Sequence, residues 1–179
     1  MNTVELTGIL KKKVDSNTHF LGVLACDQLP HNYVTRIPTA AVINTHDSTM
    51  PGDHWLGVYI SSDRNGYFFD SFGNPPNTFP HYINNFLKRN CINVSYSTRQ
   101  VQADNATTCG QHCVFFLCNI LKHHSYERVM RMYTYNKQCN DIMVCKFVSR
   151  IQPGLCRDHD FTCIQSVCNG KKNVCDMVY

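Results

Sequence analysis

Four side chains of the kinds used in covalent hydrolysis occur in the order His54, Asp70, Gln102 and Cys109. A thiol attacks a carbonyl as its thiolate, and a histidine held in one tautomer by a carboxylate can act as the base that ionises it. The oxyanion formed by that attack needs hydrogen-bond donors, which the Gln102 amide and the backbone N–H of Cys109 could supply. The four residues therefore suggest acyl transfer by a nucleophilic cysteine.

Each of these residues also has an ordinary structural explanation. A cysteine among apolar residues at helical spacing is typically a core residue, which is how we interpret Cys113 and Cys118. An aspartate at a strand end commonly belongs to a turn or an ion pair, and Gln102 could be a surface amide. The order and the local contexts of the four residues favour the catalytic interpretation.

A predicted β-hairpin would bring the histidine and the aspartate together. Residues 54–60, HWLGVYI, and 67–72, YFFDSF, are aromatic and β-branched, and SSDRNG between them is rich in turn formers and includes an Asn-Gly pair. The strands of a hairpin are antiparallel, so His54 at the start of the first lies beside Asp70 near the end of the second. We therefore expect the imidazole and the carboxylate at the same end of the hairpin.

A buried helix is predicted to begin at or near Cys109. Apolar positions recur downstream at helical spacing (Cys113, Phe116, Leu117, Ile120 and Leu121), and capping residue types stand upstream (Asn105, Thr107 and Thr108). A thiol in the first turn of a helix lies near the positive end of the helix dipole and near unpaired N–H groups. Both effects lower the pKa of a thiol.

Other segments predict further elements of a mixed fold. Residues 2–13 predict a short amphipathic helix with capping-box spacing at its start, and residues 81–90 predict a second helix. Residues 91–96, CINVSY, alternate as in a strand, whereas the apolar run 39–44 fits either a buried strand or a helix end.

Length and composition predict one compact domain over residues 1–179. Apolar residues make up 43% and charged residues 17%, which argues against a disordered or coiled-coil protein. With neither a secretory signal nor a long apolar segment, we expect a soluble intracellular protein whose eleven cysteines are mostly reduced. The net charge of +4 allows some attraction to polyanions.

The sequence resembles the adenovirus-type cysteine endopeptidases, the adenain family, and more distantly the deconjugases of ubiquitin-like proteins such as SUMO. The resemblance rests on HFLGVLACDQLP, AVINTHDSTMPGDHW, YFFDSFG and STRQVQADNATTCGQHCVFFL, which fall in that order within residues 19–121. It implies an α+β fold with a papain-like core. A central mixed β-sheet would have helices on either side, and the nucleophile would lie at the N-terminus of a buried helix.

On this resemblance His54, Asp70 and Cys109 match the triad of the family, and Gln102 matches its oxyanion glutamine. Adenovirus enzymes usually carry glutamate where this chain has Asp70, whereas the deconjugases carry aspartate there. Trp55 follows the histidine as in both groups, although it could equally be a core aromatic residue. The order of His, Asp and Cys differs from the papain order of Cys, His and Asn.

The resemblance implies a viral cysteine endopeptidase that cleaves capsid and core precursor proteins during virion maturation. Such an enzyme would be a monomer without membrane partners, found in the virion and the host nucleus, and would need no metal or organic cofactor. It also implies activation by DNA and by a short viral peptide that forms a disulfide with the cysteine matched by Cys91. A strand cysteine needs no such role, so both interpretations of Cys91 stay open.

Two alternatives remain at this stage. One is a deconjugase of ubiquitin-like proteins, suggested by the Asp-Ser pair in FDSFG. The other is a structural protein that binds nucleic acid or zinc, suggested by the charge and by the cysteine-rich residues 139–179, for which we expect a helical part with buried thiols. The run Cys156, His159, Cys163 and Cys168 offers possible zinc ligands, although the stronger CxxC signal is absent from the sequence.

Overall fold

A five-stranded mixed sheet forms the centre of the computed structural model, which describes residues 1–123 and 125–155. The strands are β1 (His19–Ala25), β2 (Thr39–Asn44), β3 (Trp55–Ile60), β4 (Asn65–Phe69) and β5 (Asn93–Ser95). The helices are α1 (Thr3–Lys13), α2 (His81–Asn90), α3 (Cys109–His123), α4 (Tyr126–Arg131) and α5 (Lys137–Ile151). The strands lie side by side in sequence order. The β2–β3 and β3–β4 pairs are antiparallel and the two outer pairs are parallel. The predicted α+β class with a central mixed sheet is confirmed.

Helices cover both faces of the sheet. Side chains alternate between the two faces along each strand, so each face presents apolar residues that a helix can bury. On one face, residues such as Val42 and Phe69 pack with α1, α3 and α5. On the other face, residues such as Val58 and Phe68 pack with α2. Fully burying one such apolar side chain stabilises the fold by about 1.5–3 kcal/mol, so the two layers together hold the sheet ends in place.

The first helix begins with the predicted capping box. The Asn2 side-chain oxygen accepts from the Glu5 N–H at 3.0 Å, and a Glu5 carboxylate oxygen accepts from the Asn2 N–H at 2.8 Å. Two N–H groups at the helix start, which have no intrahelical partner, are thereby satisfied. The helix predicted over residues 81–90 is also present as α2, and the run 39–44 is strand β2.

The turn of the hairpin differs from the prediction. The Asn-Gly pair lies inside β4, and residues 61–64 form the loop, in which Arg64 adopts a φ of +62°. Gly66 is needed in the strand because a Cβ there would lie 2.5 Å from Cys91 Sγ. Gly66 therefore allows the strand to lie close to Cys91, and it does not form the turn.

The strand predicted over residues 91–96 is shorter than expected. Cys91 ends α2, with its N–H donating to the Leu87 carbonyl at 2.9 Å, so helical hydrogen bonding takes this residue out of the strand. Only Asn93–Ser95 pair with β4, in the register Gly66 to Val94. The alternation of the segment correctly predicted a strand but did not predict the residue at which the strand begins.

The cysteine-rich C-terminal part is described as far as residue 155. There α5 is helical as predicted, with Cys145 buried and Cys139 half-buried. The possible zinc ligands Cys156, His159, Cys163 and Cys168 lie outside the described residues. Over residues 1–123 and 125–155, no group of three or more His, Cys, Asp or Glu is arranged to hold a metal, and no helix could span a membrane.

Candidate active site

The hairpin brings His54 and Asp70 into contact. His54 immediately precedes β3 and Asp70 immediately follows β4, and these two strands pair antiparallel. His54 Nε2 lies 2.6 Å from Asp70 Oδ1. Both residues therefore lie at one end of the hairpin, because the start of β3 is beside the end of β4 in an antiparallel pair.

Asp70 is buried and receives hydrogen bonds on both oxygens. Besides His54, Oδ1 accepts from the Phe72 N–H at 3.1 Å, while Oδ2 accepts from the backbone and the side-chain amide of Asn74, each at 2.8 Å. Burial by itself raises the pKa of Asp70, but the hydrogen bonds from His54 and Asn74 hold it below its usual value. The carboxylate is thus ionised and fixed in orientation.

Cys109 is the first residue of α3, and its thiol interacts with the His54 ring strongly enough to shift the pKa of both groups. Since Nε2 of the ring faces Asp70, Nδ1 is the nitrogen left for the sulfur. Burial opposes the charged form of each partner. Even so, the bonds to Asp70 and Cys109 raise the pKa of His54 to about 9, and the bond to His54 lowers the pKa of Cys109. The two shifts favour a thiolate beside an imidazolium.

Gln102 is 1% exposed, so the surface-amide interpretation is wrong. Its Nε2 donates to the Ala106 carbonyl at 2.6 Å, and its Oε1 accepts from the Ser71 hydroxyl at 2.7 Å. A carbonyl can only accept, so the bond to Ala106 determines which end of the amide is nitrogen. The Ser71 carbonyl also accepts from the N–H groups of Val101 and Gln102. The segment after β4 therefore positions both the Asp70 carboxylate and the Gln102 side chain.

A cleft of about 710 Å³ is lined by His54, Gln102 and Cys109 together. The Phe72 ring, which also lines the cleft, lies 5.0 Å from the His54 ring. Clefts of this size accommodate extended polypeptide or small-molecule ligands. The three residues therefore border one accessible space.

The glycine after Cys109 allows α3 to approach the sheet closely. A Cβ at Gly110 would lie 3.0 Å from Met1 Cβ and 3.5 Å from the Trp55 ring. Trp55 is half-buried, and its indole N–H donates to the Met1 carbonyl at 3.0 Å. Trp55 thus packs at the start of α3 and also lines the cleft.

The other cysteines differ from Cys109 in their surroundings. Cys113 is buried as predicted, and burial raises its pKa well above the usual value. Cys118 is half-buried with a pKa of about 11, also raised by burial. Cys91 lies apart from the cleft, at the end of α2 beside β4, and burial raises its pKa to about 11. Among these four thiols, Cys109 is the one with a lowered pKa.

Comparison with known proteins agrees with this arrangement. A family model described as adenovirus endoprotease matches residues 20–160, a range that includes all the site residues discussed above. The chain belongs to the adenovirus endoprotease family. The match extends past the segments quoted for the resemblance and takes in α4 and α5.

Three relatives of this chain are themselves named proteases. The protease of Bovine adenovirus 2 is 31% identical over 90 residues, covering 44% of each chain. The protease of Ovine adenovirus D serotype 7 is 30% identical over 113 residues, covering 56% of each chain. The protease of Bovine adenovirus 7 is 29% identical over 122 residues, covering 60% of this chain and 59% of the relative. The chain spans about half the length of the curated relatives it matches.

Sequence reasoning missed the residues that support the site. Ser71 and Asn74 bond to Gln102 and Asp70, and Asp141 on α5 bonds to the loop between Gln102 and Cys109. The nearness of Ser71 and Asn74 to Asp70 in the chain was an available signal. Nothing in the local pattern of α5 indicated Asp141.

Proposed function

We propose that this chain is a cysteine endopeptidase with His54, Asp70 and Cys109 as its triad. The observation that carries the proposal is one imidazole that is hydrogen-bonded to a buried carboxylate and shares a cleft with a thiol at a helix start, whose pKa it lowers. Membership of the adenovirus endoprotease family supports the same activity.

The reaction would begin with attack of the Cys109 thiolate on the carbonyl carbon of the scissile peptide. The sulfur–carbon bond forms as the carbonyl electrons move to oxygen, and the resulting oxyanion accepts from the Gln102 amide and the Cys109 backbone N–H. The Gln102 nitrogen carries two N–H groups. One donates to Ala106 and the second is the donor that the oxyanion needs.

His54 would transfer protons in both halves of the reaction. The imidazolium donates its proton to the leaving amine nitrogen as the carbon–nitrogen bond breaks, which leaves a thioester on Cys109. The neutral imidazole then takes a proton from water, whose oxygen attacks the thioester and releases the acid. Asp70 holds the ring in the orientation that presents Nδ1 to the sulfur throughout.

The proposed substrates are capsid and core precursor proteins of a virus, cleaved during virion maturation. Support comes from the three adenovirus relatives named proteases. The family resemblance predicts cleavage beside small residues, often glycine, with a large apolar residue a few positions upstream. Action in the virion and the host nucleus belongs to the same proposal.

Substitution of the nucleophile tests this activity. Cys109→Ala should abolish cleavage of precursor protein and of glycine-containing peptides, because the attacking atom is removed. Cys118→Ala, on the same helix with a raised thiol pKa, is the matched control and should retain wild-type turnover. Cleavage by Cys109→Ala at more than a few per cent of the wild-type rate would refute the assignment of the nucleophile.

Deconjugation of ubiquitin-like proteins is the second candidate activity. It is favoured by the aspartate at position 70, which matches the deconjugases where adenovirus enzymes usually have glutamate. Parallel assays with modifier fusions and with viral precursor protein separate the two activities. Turnover of the fusions at a higher kcat/KM than of the precursor would favour deconjugation.

We also propose activation by a viral peptide and by DNA. Cys91 lies at the end of α2 just before β5, which is the last strand in the order of the described sheet. A peptide adding a strand beside β5 could reach this thiol, and the net charge of +4 supports attraction to DNA. Because the pKa of Cys91 is about 11, its exchange with a peptide disulfide should accelerate as the pH rises. Cys91→Ser should abolish covalent activation by the peptide without changing the basal rate.

A further inference from the structure

A buried polar cluster joins α5 to the loop between Gln102 and Cys109. Its centre is Asp141, which is buried and lies in the second turn of α5. The carboxylate accepts three hydrogen bonds from that loop and from α3. None of these contacts belongs to the triad, yet they hold the residues next to two proposed catalytic groups.

Two of the three donors to Asp141 lie at opposite ends of the loop. Oδ2 accepts from the backbone N–H of Ala103, the residue directly after Gln102, at 3.1 Å. Oδ1 accepts from the Thr108 hydroxyl, directly before Cys109, at 2.5 Å. One carboxylate therefore links the residue that follows the glutamine to the residue that precedes the nucleophile.

The third donor comes from the first turn of α3. His112 is completely buried, and its Nε2 lies 2.9 Å from Asp141 Oδ1. Burial lowers the pKa of His112 in spite of the carboxylate, so the ring is neutral. Tyr133 keeps its hydroxyl proton because burial raises its pKa, and it lies 3.4 Å from Nδ1. The phenol thus donates to Nδ1, which leaves Nε2–H as the donor to Asp141.

The proposed oxyanion donors are the Gln102 amide and the Cys109 N–H, and their separation depends on this loop. The amide is itself bonded to the Ala106 carbonyl within the loop. A shift of either end would move one donor relative to the other, and a displacement of about 1 Å in an active site can lower the rate roughly a hundredfold.

We propose that Asp141, acting through Thr108 and Ala103, is a positioning residue that sets the spacing of the two oxyanion donors. This inference rests on the proposed peptidase function. Asp141 has no hydrogen bond with Cys109 or His54. Its effect is therefore expected on the step that creates the oxyanion and not on formation of the thiolate.

Variants of Thr108 test the proposal in the full-length chain. Thr108→Val keeps the shape of the side chain but removes the donor to Asp141, whereas Thr108→Ser keeps the donor. Thr39→Val is the matched control. Its hydroxyl is also buried and donates to the Arg36 carbonyl at 2.8 Å, and it lies at the far end of β2 from the site.

Two rates are compared. The first is the turnover of a glycine-containing peptide. The second is the alkylation of Cys109 by iodoacetamide, followed by mass spectrometry of the Cys109 peptide. We expect Thr108→Val to lower kcat by about 10- to 100-fold, with KM and the alkylation rate within about twofold of wild type. Thr108→Ser should restore kcat to within about threefold, and Thr39→Val should leave it unchanged. If Thr108→Val does not fold, Thr108→Ala supplies the same comparison with a smaller side chain.

Three kinetic results would overturn the proposal: an unchanged kcat in Thr108→Val, an equal loss of kcat and alkylation, or a Thr108→Ser variant as slow as Thr108→Val. Amide hydrogen exchange keeps this test separate from that of the peptidase function. Thr108→Val should accelerate exchange at residues 103–109, and Thr39→Val should not. A wild-type protein that cleaves no peptide would refute the peptidase assignment, whereas unchanged exchange in Thr108→Val would refute the role of the cluster.

Discussion

Asp70→Asn tests whether the Asp70 carboxylate stabilises the imidazolium form of His54. The wild-type carboxylate receives two hydrogen bonds on each oxygen, and all four donors are N–H groups. An amide of the same shape has one accepting end. Its NH₂ end must therefore face two donors, whichever way it is turned. The substitution should both remove the charge beside His54 and loosen the orientation of the ring.

The size of the effect follows from the pKa of His54, which is raised from 6.5 to about 9. At 1.36 kcal/mol per pKa unit, this shift corresponds to a preference of about 3 kcal/mol for the imidazolium. Without the carboxylate, two influences on the ring remain: burial lowers the pKa of His54 and the Cys109 thiol raises it. We expect the resulting pKa to be at or below 6.5. At pH 7.5 the protonated fraction would then fall from nearly all to roughly a tenth. Misorientation adds to this loss, so kcat/KM should fall by roughly 10²- to 10⁴-fold.

The assay is the pH dependence of kcat/KM between pH 5 and 10. Wild type should lose activity as the pH rises through about 9, where the imidazolium deprotonates, and Asp70→Asn should lose it at least two pH units lower. Asp63→Asn, in the loop at the opposite end of the hairpin, is the control and should match wild type. An Asp70→Asn variant within threefold of wild-type kcat/KM, with the same alkaline limb, would refute this account of the ion pair.

The same pKa shift predicts how stability depends on pH. The folded pKa of His54 lies above its unfolded value, so the stabilisation is fully present below pH 6.5 and is lost as the pH rises through about 9. In wild type the lowered pKa of Cys109 opposes this trend, so the test uses the Cys109→Ala background, in which no thiolate forms. There the free energy of unfolding should fall by up to about 3 kcal/mol over this range relative to the same protein carrying Asp70→Asn, measured by urea denaturation. A constant difference between the two proteins across the range would contradict the predicted linkage.

Three further substitutions test single contacts. Gln102→Ala should lower kcat by about 100-fold or more with KM nearly unchanged in steady-state assays, and a loss below threefold would mean that another group holds the oxyanion. Gly73→Ala should lower the free energy of unfolding by more than about 1 kcal/mol, because Gly73 has a φ of +78° and a Cβ would lie 2.8 Å from backbone atoms of residues 98–100. Urea denaturation checks this, and wild-type stability would show that the segment can move aside. Asn2→Ala should cost about 1 kcal/mol by the same measurement through loss of the cap to Glu5, with no change in kcat; an unchanged unfolding midpoint would contradict it.

Local pattern was sufficient to predict the elements on which His54, Asp70 and Cys109 lie. The aromatic and β-branched runs around His54 and Asp70 predicted two antiparallel strands, and antiparallel pairing alone brings a strand start beside a neighbouring strand end. The apolar spacing after Cys109 likewise predicted the helix that begins there. These predictions succeed because periodicity and turn residues act over a few neighbouring positions.

Contacts between distant segments decided the rest. Gln102 is buried because the Ser71 segment and the Ala106 carbonyl enclose its amide, and Gly66 lies in a strand because Cys91 packs against it. The role inferred for Asp141 depends on α5 packing beside the loop that precedes Cys109. The sequence by itself determined which residues could do the chemistry and the elements on which His54, Asp70 and Cys109 lie. Tertiary packing decided what surrounds and orients those residues, since burial and hydrogen bonding between segments far apart in the chain leave no period in the sequence.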